Sequence, residues 1–144
     1  MHEFPHRYLA SAVGGPEATI ATTSPGLPEL VANTPPEFDG PPGFWSPETM
    51  LTGAVANCLI LTWRSVAAHN GFEWSAISVD AVGVLDRVER VTCFTRFDLT
   101  VRLTVPAGTD AERADKLIHK AESVCLVTNS LTAEIALKLE LVTA

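Results

Sequence analysis

The stretch that decides the fold runs from residue 46 to residue 71 and reads SPETMLTGAVANCLILTWRSVAAHNG. Ser46 is a predicted N-cap, and Pro47 suits the first helical position, where no backbone N–H is needed. Asn70-Gly71 is a C-cap signal. We therefore predict one long helix that begins after Ser46 and ends near His69.

This predicted helix is apolar nearly all the way round, which is typical of a helix that is covered on several sides. Its uncharged run between Glu48 and Arg64 is about 15 residues, short of the roughly 20 that span a bilayer, so we predict a buried helix. One small sheet cannot cover it alone. We therefore predict a homodimer in which the central helices of both chains share one core.

A second predicted helix leads to Cys125. It opens with Thr109-Asp110-Ala111-Glu112, which has the pattern of a capping box. Apolar residues follow at spacings of three and four, and these are Ala114, Leu117, Ile118, Ala121, Val124 and Cys125. The stripe that faces the core therefore ends at Cys125.

Strand patterns flank both helices. Residues 76–91 and 93–105 read as two strands, with Gly83 as a candidate bulge in the first. The second is predicted to turn one face to the core, carrying Cys93, Thr95, Phe97, Leu99, Val101, Leu103 and Val105. A last strand alternates Ile135, Leu137, Leu139 and Leu141 with charged residues. Three short segments before residue 34, separated by glycine and proline, predict an antiparallel meander.

The predicted fold class is α+β, with an antiparallel sheet packed on two long helices. A chain of 144 residues fits one domain over residues 1–144. Within it we distinguish N-terminal strands (1–33), a Pro-rich loop (34–45) and a helix-strand-strand-helix-strand core (46–144).

Composition excludes several classes of partner. The net charge is −7 and the pI is near 5.0, so the chain lacks the basic footprint that nucleic acids and anionic membranes require. Residues Met1 to Arg7 lack the apolar core of a signal peptide, and we expect a cytoplasmic protein. Three cysteines are too few for a secreted disulfide scaffold.

Two of the cysteines lie in contexts that favour redox chemistry. A thiolate can attack the O–O bond of a hydroperoxide, and a second thiol can condense with the resulting sulfenic acid. Cys58 lies too deep in its helix to feel the N-terminal dipole, whereas Cys125 lies at a helix C-terminus, where the dipole disfavours a thiolate. This asymmetry favours Cys58 as the attacking thiol and Cys125 as the resolving thiol. The alternative is that both, like Cys93, are small buried apolar residues.

Glu48 precedes Cys58 by ten residues on the same predicted helix. The two lie about 15 Å apart along the axis and within about 80° around it. Glu48 is therefore expected to orient a cation that reaches the thiol. The alternative is that it is simply a favourable charge in the first helical turn.

At these residues the chain resembles the OsmC/Ohr family of osmotically inducible and organic hydroperoxide resistance proteins. The similarity covers roughly residues 43–142. It is carried by Ser46-Pro47-Glu48 with the small-residue helix that reaches Cys58, by the strand pair after Gly71, and by the segment Cys125-Leu126-Val127-Thr128-Asn129-Ser130-Leu131.

The resemblance implies an intertwined homodimer that reduces peroxides, preferably organic hydroperoxides, at two interfacial sites. It implies that Cys58 is the peroxidatic thiol, Cys125 the resolving thiol, and Glu48 the carboxylate that holds an active-site arginine. No bound cofactor or metal is implied; the reducing equivalents come from an external dithiol such as a lipoylated protein.

The chain departs from the family at that arginine. In the peroxidases of the family it follows a Gly-Gly pair, whereas here Gly14-Gly15 is followed by Pro16. Arg64 lies on the wrong face of the helix, which leaves Arg7 or Arg96 as substitutes. The chain therefore resembles the general OsmC-like branch.

Two other functions remain open. The Pro-rich loop carries Phe38, Phe44 and Trp45 beside an apolar helix, which favours a binding protein for a small hydrophobic ligand. Metal or cysteine–histidine hydrolase chemistry is the weaker alternative. His69 is about 16 Å along the axis from Cys58, and His119 has no cysteine at ligand spacing.

Overall fold

The computed structural model describes residues 1–144 as two compact units, Met1–Met50 and Leu51–Ala144. The expectation of a single domain stays a prediction, and each unit is described by itself. In chain order the elements are β1 (Ser11–Val13), β2 (Ile20–Thr23), β3 (Leu30–Ala32), α1 (Pro47–His69), β4 (Ala76–Val88), β5 (Val91–Val105), α2 (Ala111–Ser123) and β6 (Glu134–Thr143).

The Met1–Met50 unit contains the predicted meander. Strands β1, β2 and β3 pair antiparallel in chain order, and each has only three or four residues. The Pro-rich loop that follows makes one short 3₁₀ turn, Pro36–Phe38. It then returns to β3, where the Asn33 N–H donates to the Trp45 carbonyl at 2.9 Å.

Helix α1 begins and ends where its caps predict. Ser46 Oγ accepts the Thr49 N–H at 3.1 Å, and Thr49 Oγ1 accepts the Ser46 N–H at 2.8 Å, which closes a reciprocal capping box. At the other end the Phe72 N–H donates to the Ala67 carbonyl at 2.9 Å. Gly71, with φ of 57°, supplies the left-handed residue that this Schellman turn needs.

The sheet of the Leu51–Ala144 unit has the order β4-β5-β6 and is mixed. Strands β4 and β5 form an antiparallel hairpin, but β6 runs parallel to β5, from Arg96 opposite Glu134 to Val105 opposite Thr143. The prediction of a purely antiparallel sheet is therefore wrong. The physical reason is that α2 carries the chain back along the sheet between β5 and β6, which is the crossover that parallel strands require.

Strand β5 contains a bulge that the alternating pattern hides. Thr95 is one extra residue between Arg96 and Phe94, and no residue of β4 lies opposite it. Its hydroxyl donates to the Val84 carbonyl at 3.3 Å. The extra residue reverses the alternation for the residues that precede it in β5. Phe94 therefore packs against the core, and Cys93 is exposed. The prediction that Cys93 is a buried apolar residue is therefore wrong.

One core joins both helices to the sheet. Its fully buried side chains include Val55, Leu59, Trp63, Phe97, Leu99, Val101, Leu103, Ala114, Ile118 and Ala121. Helix α1 has 23 residues and α2 has 13, so only α1 is long. The N-cap of α2 is Asp110, which accepts the N–H groups of Glu112 and Arg113, and not Thr109, whose hydroxyl donates to Pro106.

Helix α1 also meets the length and composition of a membrane span when counted over all its residues, with a mean hydropathy of 1.3 in its most apolar window. The uncharged run between Glu48 and Arg64 alone is shorter than a bilayer span. The core helix of a soluble fold passes the same test, and here Val55, Leu59 and Trp63 are fully buried in the protein core. Packing on the sheet therefore accounts for the buried side of α1.

Gly83 of β4 lies where α1 approaches the sheet closely. A Cβ atom on Gly83 would lie 2.7 Å from Thr52 Oγ1 and 2.8 and 2.9 Å from ring atoms of Phe94 and Phe97. Those two rings are stacked with centroids 4.9 Å apart, so neither can move independently.

Replacing Gly83 with alanine is therefore expected to lower the free energy of unfolding by about 1–3 kcal/mol, as overpacking does. Urea unfolding measures this. The matched control is Gly15→Ala, because a Cβ there would meet its nearest atom at 3.9 Å. Equal unfolding midpoints for the two variants would show that the close approach at Gly83 is wrong.

Candidate active site

The structure brings Cys58 and Cys125 together although they are 125 − 58 = 67 positions apart in the sequence. Cys58 lies on α1, and Cys125 lies two residues beyond the end of α2. The two side chains are hydrogen-bonded, and both cysteines are reduced. Cys125 is fully buried, and Cys58 is 9% exposed. The two thiols are therefore neighbours in the folded chain.

Burial is the main reason that the pKa of the Cys125 thiol is raised above its ordinary value. The hydrogen bond to Cys58 and the like charge that Cys58 can carry raise this pKa further, while the backbone N–H and hydroxyl of Thr128 oppose the shift. A hydrogen bond that stabilises the protonated form of Cys125 is one in which its S–H donates to the Cys58 sulfur. These surroundings therefore favour the protonated form of Cys125.

Thr62 is the polar neighbour of Cys58 one helical turn further along α1. Its Oγ1 lies 3.9 Å from the Cys58 sulfur, and its hydroxyl donates to the Cys58 carbonyl at 2.8 Å. Because the one hydroxyl hydrogen is used by the carbonyl, Thr62 gives the sulfur a polar contact rather than a strong donor.

The arginines of the Leu51–Ala144 unit are engaged away from the thiols or exposed. Arg96, a predicted substitute for the family arginine, forms a two-point ion pair with Asp98, with Nε 3.0 Å from Oδ1 and Nη2 3.0 Å from Oδ2. Arg64 is exposed. The structure therefore gives no support to Arg96 as the cation of the site. No group of three or more His, Cys, Asp or Glu side chains could hold a metal ion.

Glu48 lies in the first turn of α1, within the Met1–Met50 unit. Its Oε2 atom is buried. It lines a cavity of about 360 Å³ in that unit, together with Ile20, Phe38 and Met50. Phe44 and Trp45, which we predicted beside such a pocket, are not among its walls and are 44% and 49% exposed. The role of Glu48 toward Cys58 stays a prediction.

Thr128 is a site residue to which the sequence analysis assigned no role. It is 5% exposed, its Oγ1 lies 3.2 Å from the Cys125 carbonyl, and both its backbone N–H and its hydroxyl contact the Cys125 sulfur. The available signal was its spacing, because a threonine three or four residues after another residue commonly bonds back to it. Thr62 follows Cys58 by four residues in the same way.

Comparison with known proteins places the chain. A family model described as OsmC-like protein matches residues 40–140. Peroxiredoxin OsmC of Escherichia coli (strain K12) is 30% identical over 125 residues, which cover 87% of this chain and 86% of that protein. The uncharacterized protein YmaD of Bacillus subtilis (strain 168) is 29% identical over 140 residues, which cover 94% and 92%.

A solved structure supports the same family. The crystal structure of an organic hydroperoxide resistance protein OsmC from Legionella pneumophila has a TM-score of 0.71 and 26% identity to this chain, covering 96% of this chain and 98% of that one. The predicted family resemblance and the α+β class are both confirmed. The chain therefore belongs to the OsmC-like protein family.

Proposed function

We propose that this protein is a thiol-dependent peroxidase that reduces organic hydroperoxides. The observation that carries the proposal is the hydrogen-bonded contact between the buried Cys58 and Cys125 thiols. The names of two similar proteins, peroxiredoxin OsmC and organic hydroperoxide resistance protein, support the same activity.

The reaction has three balanced steps. The Cys58 thiolate attacks the hydroperoxide, takes the terminal oxygen as a sulfenic acid and releases the alcohol after protonation. The Cys125 sulfur then attacks the Cys58 sulfur, and its proton leaves with the displaced hydroxyl as water. An external dithiol finally reduces the disulfide, becomes a disulfide itself and returns both thiols.

The surroundings of Cys125 support Cys58 as the attacking thiol. Burial and the hydrogen bond to Cys58 raise the pKa of the Cys125 thiol and so disfavour charge on it. Two thiols in contact do not ionise together readily, since their charges repel. Cys125 is therefore suited to wait as a thiol and to act second.

The proposed site includes a positive group beside Cys58. Glu48 is proposed to orient a positive group toward Cys58, as the family resemblance implies, but Pro16 follows Gly14-Gly15 where that arginine is expected. Removal of a positive neighbour leaves a thiolate less favoured. We therefore expect turnover to be slow relative to members of the family that keep the arginine.

The remaining parts of the proposal concern partners. We propose a homodimer, supported by the apolar outer side of α1, where Leu61 is 53% exposed. The reductant is proposed to be an external dithiol of the lipoyl type, with no bound cofactor, and the location to be the cytoplasm.

A count of free thiols tests the peroxidase. One equivalent of cumene hydroperoxide is expected to remove two of the three thiols per chain, and peptide mapping is expected to find a Cys58–Cys125 disulfide. The matched control is Cys93→Ser, because Cys93 is exposed on the other face of β5. Loss of a single thiol, or a disulfide that includes Cys93, would contradict the proposal.

A binding protein for a small hydrophobic ligand is the second candidate function. The cavity of about 360 Å³ in the Met1–Met50 unit favours it, since this size lies in the range of small-molecule sites and Phe38 forms part of the wall. Native mass spectrometry of the purified protein tests it. A co-purifying hydrophobic ligand that is lost in Phe38→Ala, together with slow, non-saturable thiol oxidation, would favour this function over the peroxidase.

A further inference from the structure

We propose that Thr128 is the positioning residue of the resolving thiol: its backbone N–H and its hydroxyl hold the negative charge that the Cys125 sulfur gains when it gives up its proton. This inference rests on the proposed peroxidase function, because it assigns a means of stabilising the second of the two thiols. It concerns a residue outside the pair of cysteines and the glutamate on which that function was argued.

The turn after α2 fixes Thr128 against Cys125. The Cys125 carbonyl accepts the Asn129 N–H at 3.0 Å and the Thr128 hydroxyl at 3.2 Å, so the chain folds back over Cys125 within four residues. The Thr128 N–H is not used by any carbonyl of the turn and contacts the Cys125 sulfur. Since Thr128 is 5% exposed, water does not compete for either donor.

The Thr128 hydroxyl has one hydrogen and two acceptors, and both acceptors belong to Cys125. Its distance of 3.2 Å to the carbonyl exceeds the usual range for O–H···O, so that bond is weak. A thiolate is a stronger acceptor than a carbonyl, because hydrogen bonds to charged groups are the stronger ones. The hydroxyl is therefore expected to rotate from the carbonyl to the sulfur when Cys125 loses its proton.

These two donors act at two points of the cycle. When Cys125 attacks the Cys58 sulfenic acid, its proton goes to the departing hydroxyl and its sulfur must pass through an anionic state. When the external dithiol reduces the disulfide by attack on the Cys58 sulfur, Cys125 is the leaving thiolate, and a stabilised thiolate leaves faster. The two Thr128 donors thereby offset part of the rise in the pKa of Cys125 that burial causes.

Ultraviolet absorbance of the Cys125 thiolate tests the contact with Thr128 directly. It does not require a reagent to reach the buried sulfur. The protein used carries Cys58→Ser and Cys93→Ser, because Cys58 is the one titratable neighbour that shifts the pKa of the Cys125 thiol. The same protein with Cys125→Ser serves as the blank. Thr128→Val is expected to move the ionisation midpoint to higher pH, equivalent to roughly tenfold less thiolate at a fixed pH below it.

Two further variants separate the hydroxyl from packing. Thr128→Ser keeps the hydroxyl and is expected to stay within about twofold of the parent. Ser130→Ala removes a hydroxyl of the same turn that donates to the Leu126 carbonyl at 2.7 Å, and is expected to leave the midpoint in place. An unmoved midpoint in Thr128→Val, or equal shifts in Thr128→Val and Thr128→Ser, would overturn the role of the hydroxyl.

A second measurement links the contact to turnover. In the protein with all three cysteines, Thr128→Val is expected to leave several-fold more Cys58 sulfenic acid for trapping by dimedone after one equivalent of cumene hydroperoxide. Unchanged trapping would overturn the role of Thr128 in resolution. Failure of the wild-type protein to consume peroxide would overturn the proposed function instead, and would leave the absorbance result as it stands.

Discussion

Replacement of Cys58 with serine is expected to lower the consumption of organic hydroperoxide by at least about a thousandfold, to the uncatalysed background. Serine has nearly the shape of cysteine, but its hydroxyl is not ionised near neutral pH and does not attack the O–O bond. The measurement is the loss of cumene hydroperoxide in the presence of a dithiol. Unfolding curves of both proteins serve as the control for folding.

The companion variant, Cys125→Ser, distinguishes the two thiols. Its first oxidation is expected to proceed, because Cys58 is intact, and then to stop at the sulfenic acid. Mass spectrometry should show one added oxygen atom and a dimedone adduct on Cys58. Reversed behaviour, with a sulfenic acid on Cys125 in Cys58→Ser, would reverse the assignment of roles. Full turnover by Cys58→Ser would end the case for a peroxidase.

Features that depend on local sequence were predictable. Both ends of α1 follow from short-range signals, since Ser46 pairs with Thr49 in the capping box and Gly71 supplies the left-handed residue. The hairpin was also predictable, because Glu89 and Arg90, both with positive φ, lie in the charged segment that joins β4 to β5. In each case the deciding interactions lie within a few residues of one another.

Strand direction and strand register depend on distant interactions. Nothing in the alternation of β6 states whether it runs with or against β5; the path of α2 decides that. The pattern of β5 continues without a break through Cys93, yet the extra residue Thr95 turns Cys93 to the exposed face. A one-residue insertion changes the face without changing the apolar pattern, so periodicity alone misplaces Cys93.

The pairing of Cys58 with Cys125 was inferred from the context of each cysteine and is also what the family resemblance implies. No local rule connects residues so far apart in the chain. The contribution of Thr128 was within reach, since it follows Cys125 by three residues. The cation of the site could not be predicted. The sequence shows that no arginine follows Gly14-Gly15, but it does not show which residue replaces it.

The largest expected loss of stability is at Trp63, which is fully buried on α1. Its ring meets Phe72 edge-on with centroids 5.4 Å apart and Trp74 with centroids 6.1 Å apart. Trp63→Ala is expected to lower the free energy of unfolding by about 3–5 kcal/mol. That is a large part of the roughly 5–15 kcal/mol that holds a typical domain folded. Urea unfolding followed by circular dichroism measures it.

Trp63→Phe separates the packing of the ring from its polar atom. The Trp63 Nε1 atom is buried and has no hydrogen-bond partner, which costs about 1–3 kcal/mol when the protein folds. Phenylalanine removes that donor but fills less of the space between Phe72 and Trp74. Since the two effects oppose each other, Trp63→Phe is expected to lower the free energy of unfolding by clearly less than Trp63→Ala does. A loss as large as that of Trp63→Ala would contradict the expectation that removal of the unpaired N–H offsets part of the lost packing.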